Sequence, residues 1–288
     1  MAKFALGFAA AVAGATLWAA ATGGHAAERW ETLTRPPAMP APTLEGRVAH
    51  DDVRIWFATF GSGAPVILLH GGGGDSDNFG FQVPALVASG HRVIVIDSRG
   101  QGRSTHDQKP LTYEAMEGDV IAVMDQLGVR KADVVGWSDG AIISLVMAMK
   151  HPDRERRVFA FSPDMDPKGL APNWMSAPII PQLIAWAKED YLRLSPTPQD
   201  FDYMFGAIAT MANTEPNYTA EQLARINGPR IAIVDGDHEE LILPEHTRYI
   251  AHTIPGAKLI ILKGVSHAAP LQDPDQFNRA VIAFLDGK

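Results

Sequence analysis

Short unbroken apolar runs alternate along the chain with longer segments in which apolar residues recur every three or four positions. The runs at 54–60, 65–70, 92–97, 132–137, 157–161, 230–235 and 258–263 predict strands. They lack polar alternation, as strands covered on both faces do. The first of them, with the segment near 47–49, predicts an opening antiparallel hairpin. The helical spacing predicts helices over 79–89, 112–128, 139–150, 244–253 and 274–286. Thr112 is placed to cap the second of these and Gly128 to stop it. This alternation means a mainly parallel sheet with helices on both faces, whose ligand site forms beyond the carboxyl ends of the strands.

Two regions depart from the rhythm. From Pro163 to about Ile226 no convincing strand occurs, yet the stretch carries Trp174, Trp186, Tyr191, Tyr203, Met204, Phe205 and Met211. A structureless loop of that length is unexpected, so residues 163–226 read as a helical cap over the sheet edge. The core is then 44–162 and 227–288. At the other end, Lys3 precedes an uncharged, alanine-rich stretch that closes on Gly24-His25-Ala26-Ala27 before Glu28 and Arg29. A cationic start, an apolar middle and a small-residue exit describe a secretory signal peptide over 1–27, with exits after Ala21, Gly23, Ala26 or, the one favoured, Ala27; an uncleaved membrane anchor is the alternative. The expected location is periplasmic or secreted, with no stable membrane association once processed. Pro36, Pro37, Pro40 and Pro42 make 28–43 an extended lead-in rather than packed structure.

Composition narrows the chemistry. The 288 residues hold no cysteine, which removes disulfides, thiol nucleophiles, thiolate zinc sites and iron–sulfur clusters. A net charge of −8, with no basic run, argues against a nucleic-acid partner. Asp235/Asp237 and Asp164/Asp166 are isolated pairs, and His238-Glu239 lacks the second helical histidine of a zinc site.

Gly136-Trp137-Ser138-Asp139-Gly140 fits G-x-S-x-G between an apolar strand and a helix. A sharp turn there needs small residues on each side of the serine and leaves its hydroxyl exposed at a helix N-terminus. A serine becomes a nucleophile when a neighbour takes its proton, which at neutral pH usually means histidine. Of ten histidines, His267 follows the last strand on a loop able to reach Ser138. Histidine in turn needs an acid, and Asp235-Gly-Asp237-His-Glu239-Glu240 ends the preceding strand with several; Asp164 and Asp166 are outside candidates. The glycines after His70 leave backbone amides unobstructed, so the Gly72 and Asp139 N–H groups are the expected oxyanion donors.

Together these residues resemble the α/β-hydrolase superfamily, from about Arg47 to Leu285. The resemblance takes in Leu-Leu-His-Gly, Asp97-Ser-Arg-Gly-Gln-Gly-Arg-Ser104, the serine elbow, and Gly264-Val-Ser-His267 with Asp273-Pro274 behind it. It implies an eight-stranded sheet with only the second strand antiparallel and a cap inserted after strand six. It also implies an acid three residues after the glycine closing strand seven, which is Glu239; Asp237, nearer the strand, is the alternative. A serine elbow argues against relatives with an aspartate nucleophile.

The expected activity is hydrolysis of a small or medium carboxylic ester, apolar and uncharged, through an acyl-enzyme and with no cofactor. Lactonases, carbon–carbon bond hydrolases, aminopeptidases and cofactor-free haloperoxidases share the constellation. A binding protein with feeble turnover is the non-enzyme alternative. A nucleotide-dependent oxidoreductase lacks its glycine fingerprint here. The oligomeric state is not legible.

Overall fold

The computed structural model describes residues 27–288. The expected leader lies outside them but for Ala27. Eight strands form one sheet: β1 (Leu44–His50), β2 (Val53–Phe60), β3 (Ala64–Leu69), β4 (His91–Ile96), β5 (Ala132–Trp137), β6 (Glu155–Phe161), β7 (Ile231–Gly236) and β8 (Lys258–Leu262). Their order is β1-β2-β4-β3-β5-β6-β7-β8. β2 runs antiparallel to both neighbours, and every other pairing is parallel.

Alternate residues feed two cores. Ile55, Phe57, Ile67 and Leu69 pack on the face covered by α2 (Tyr113–Gln126), α3 (Asp139–Lys150) and α7 (Pro244–Thr253). Trp56, Phe60, Val66 and Leu68 pack on the other, under α1 (Gln82–Ala88) and α9 (Pro274–Leu285). The Thr112 side chain accepts the Ala115 N–H at 3.1 Å, and Gly128 leaves the second helix at φ +64°, as the capping residues predict. β8 departs from the prediction of strands covered on both faces. It is one of the two edge strands, α7 is centred on β7, and Leu259 and Ile261 stand 43% and 40% exposed.

Between β6 and β7 lie the helices α4 (Ile180–Leu194), α5 (Phe201–Thr214) and α6 (Ala220–Leu223) with short 3-10 turns. They roof the carboxyl ends of the strands. The remaining helix, α8 (Ala269–Gln272), is a single turn behind the last strand. The proline-rich lead-in is extended, yet it is packed, contrary to the sequence reading. Trp30 stacks on His238 with ring centroids 3.6 Å apart, Leu33 and Met39 join the second core, and Arg35 pairs with Glu189 and Asp190 of α4. Proline fixes an extended path, and these side chains tether it.

The turn Asp97–Ser104 is scaffold. Asp97 accepts the Ser76 and Arg103 N–H groups at 2.8 and 2.7 Å, Ser104 Oγ donates to the Asp97 carbonyl, and Arg99 grips Asp119 with two 2.6 Å bonds.

Candidate active site

Backbone crowding shapes the turn between β5 and α3. A Cβ on Gly136 would lie 2.2 Å from the Gly140 carbonyl oxygen, and one on Gly140 would lie 2.1 Å from that of Leu69. Neither obstacle is a movable side chain, so only glycine fits at the two positions. Ser138 between them takes φ +56° and ψ −119°, a conformation that L-residues rarely adopt. It is held there by its N–H on the Phe161 carbonyl and by its own carbonyl, which accepts from Ala141 and Ile142. The hydroxyl faces a cavity of about 150 Å³.

His267 lines the same cavity, on the loop between β8 and α8, and is 4% exposed. Its Nδ1 lies 2.9 Å from Glu239 Oε1. That oxygen also accepts the Leu241 and Ile242 N–H groups at 2.7 and 3.1 Å. Burial works against a charge on Glu239, but the His267 charge and these donors outweigh it and hold the carboxyl down at about 2. His267 shows the reciprocal balance: burial disfavours the imidazolium, the Glu239 charge outweighs it, and the ring's pKa is raised. Among the described residues no hydrogen bond links Ser138 Oγ to His267; both residues line the cavity.

The structure separates the two acids left open by the sequence. Glu239 is at His267. Asp237 accepts the Gly264 N–H at 2.7 Å and has Lys263 at 3.6 Å, on the outer side of the loop. Asp166 caps a 3-10 turn through the Lys168 N–H. Four other histidines are engaged elsewhere: His70 accepts from the Ser98 N–H, His246 from the Met165 N–H, and His50 and His106 face Asp119 and Asp200.

Gly72 and Asp139 lie side by side at the cavity wall. A Cβ on Gly72 would meet Asp139 Oδ2 at 2.5 Å. Gly73 and Gly74 commit their N–H groups to Gln101 Oε1 and the Gly71 carbonyl, whereas Asp139 is the first residue of α3, where backbone donors have no partner within the helix.

Two buried carboxyls, Asp139 and Asp164, are among the residues lining the cavity. Asp139 accepts the Tyr113 hydroxyl at 2.9 Å on Oδ1, and its Oδ2 has no partner; Asp164 Oδ2 has none either. Burial drives Asp139 up to about 6 against the Tyr113 bond, and burial with the Asp139 charge drives Asp164 up to about 8. Sequence reasoning weighed Asp164 as an outside triad acid and as half of an isolated acidic pair, and did not reach Tyr113, which stands 25 residues upstream of the serine, next to the Thr112 cap. The rest of the wall is largely apolar, with Trp174, Ile184, Phe205, Ile208, Leu241 and Leu271. Among the described residues no group of three or more His, Cys, Asp or Glu side chains is placed to hold a metal ion.

Comparison with known proteins bears on this geometry. The sequence pattern described as "Alpha/beta hydrolase family" matches residues 66–280. The chain is 29% identical over 252 residues to a provisionally assigned carbamate hydrolase, RutD, of Caulobacter sp. (strain K31), covering 77% of this chain and 91% of that one. Among solved structures it is similar to Est816, described as an N-acyl homoserine lactone degrading enzyme, at 25% identity and a TM-score of 0.67, covering 83% of this chain and 100% of that chain. A hydrolase from Pseudomonas aeruginosa PA01 is also similar, at 25% identity and a TM-score of 0.66, with 84% and 98% covered.

Proposed function

The chain belongs to the alpha/beta hydrolase family, and on that premise we propose that it is a serine hydrolase of small carboxylic esters. The observation that carries the proposal is the buried Glu239–His267 contact at 2.9 Å, with His267 lining the same cavity as a strained Ser138. Ser138 attacks the ester carbonyl as His267 Nε2 takes its proton. Glu239 holds the ring with Nδ1 protonated and favours the cation that forms. The Gly72 and Asp139 N–H groups receive the oxyanion. His267 then protonates the leaving alcohol, and water, deprotonated by the same ring, releases the acid.

The apolar wall and the 150 Å³ volume favour a compact, uncharged acyl group, about the bulk of a benzene ring. A lactone is an ester closed on itself, and the likeness to Est816 supports that second reading. The cationic, alanine-rich start supports export as the setting. The test is hydrolysis of p-nitrophenyl esters of graded length, an N-acyl homoserine lactone and an alkyl carbamate by the mature protein and Ser138→Ala. Short esters cleaved fastest, with loss of activity in the variant, is the expected result. Carbamate turnover with inert esters would overturn the ester assignment.

A further inference from the structure

Ser162 directly follows β6, fully buried and in the left-handed region at φ +52°, with its N–H on the Val234 carbonyl at 2.8 Å. A non-glycine residue held in that conformation marks a position its surroundings over-determine. Its Oγ lies 2.8 Å from Asp235 Oδ1 and 2.8 Å from Glu239 Oε2. A hydroxyl carries one hydrogen, so it donates to one carboxyl, and the hydrogen in the other contact comes from a carboxyl.

Glu239 is the wrong holder of that hydrogen. Its Oε1 already accepts three N–H groups, from His267, Leu241 and Ile242, an environment built for a carboxylate. Asp235 is 2% exposed and faces the Thr247 hydroxyl and the Gly236 N–H; no cation is among the partners of its side chain in the described residues. Two buried carboxyls joined through one serine do not both ionise.

We infer that Asp235 is a protonated positioning residue: it donates from Oδ1 to Ser162 Oγ, and Ser162 donates to the far oxygen of Glu239, fixing the carboxylate that faces His267. Burial and the neighbouring Glu239 charge both push the Asp235 carboxyl well above the usual carboxylate range, in the same sense. The effect on turnover rests on the proposed triad; the protonation state does not.

The test joins a spectrum to kinetics. With aspartate carboxyls labelled with carbon-13, the resonance lost on Asp235→Asn is expected at the shift of a neutral carboxyl at pH 7. An ionised shift would overturn the inference whatever the activity. Because the amide of Asp235→Asn keeps a donor without charge, its kcat on a p-nitrophenyl ester is expected within about threefold of the parent. Asp235→Ala and Ser162→Ala are expected to lower kcat by about tenfold or more with KM little changed, since they loosen the orientation of Glu239. Asp235→Asn falling as far as Asp235→Ala, or Asp235→Ala with full kcat, would overturn the inference. Undiminished turnover in Ser138→Ala would instead sink the triad and leave the carbon-13 result standing by itself.

Discussion

The two sides of the cavity are built by different forces. On the serine side the backbone decides. Glycines at 136 and 140 are required because carbonyl oxygens stand 2.2 and 2.1 Å from where a Cβ would be, and Ser138 has one place to go. On the acid side, side-chain hydrogen bonds decide. Glu239 reaches His267 because the Leu241 and Ile242 amides hold one of its oxygens and Ser162 holds the other, while Asp237, two residues earlier, is taken by Gly264. Steric exclusion leaves a pattern in sequence. A hydrogen-bond network leaves only a set of eligible residue types.

Substitutions on the two sides sharpen that contrast. Ser138→Ala removes the proposed nucleophile and keeps a residue of similar size in the turn. Ester hydrolysis is expected to fall by about 10⁵-fold or more, with unchanged thermal unfolding as the check. Glu239→Gln keeps the shape and removes the charge that orients and stabilises His267, with an expected loss in kcat of about 10³-fold or more. Asp237→Asn, measured beside it, is expected to stay within about twofold, since its partners lie outside the site. Equal losses in the two would abolish the distinction drawn between the acids.

The cavity carboxyls give smaller effects that depend on pH. Folded Asp164 holds its proton up to about 8, whereas its ordinary value is 3.8. Between these values the folded chain keeps a proton that the unfolded chain has lost, so stability falls as pH rises through that window. Asp164→Asn is expected to stabilise the fold by on the order of a few kcal/mol at pH 8 and hardly at all near pH 4, as urea midpoints at the two pH values would show. A variant equally stabilised at both would contradict the buried neutral carboxyl. The smallest effect concerns substrates. As Asp139 and then Asp164 ionise, near 6 and 8, the cavity gains negative charge. An ester with an anionic acyl group is expected to lose a few-fold in kcat/KM relative to a neutral one between pH 6 and 8.

Much of the architecture was legible because burial writes itself into periodicity. Helices α3 and α7 lie at 139–150 and 244–253 as the apolar spacing predicts, and the stretch that lacks strands holds α4, α5 and α6. The elbow was legible because sterics demand glycine at fixed offsets from the serine. β8 misled, since an apolar run does not reveal that a strand is outermost. The lead-in misled too: its prolines report an extended path and say nothing of the Trp30 stack or the Arg35 ion pairs that bind it down. Ser162 and Tyr113 went unread, and Asp235 was seen only as one of several carboxyls near the strand end, because their contacts are with residues distant in sequence: Ser162 with Asp235 and Glu239, Tyr113 with Asp139.

The central claim is that Ser138 carries the acyl group under His267 and Glu239. Quenching the protein during turnover of p-nitrophenyl acetate and mapping the adduct by peptide mass spectrometry tests it most directly. An acetyl group on Ser138, accumulating in the parent and absent from Ser138→Ala and His267→Ala, is the predicted result. Turnover with no adduct at Ser138, and with Ser138→Ala still active, would contradict the account.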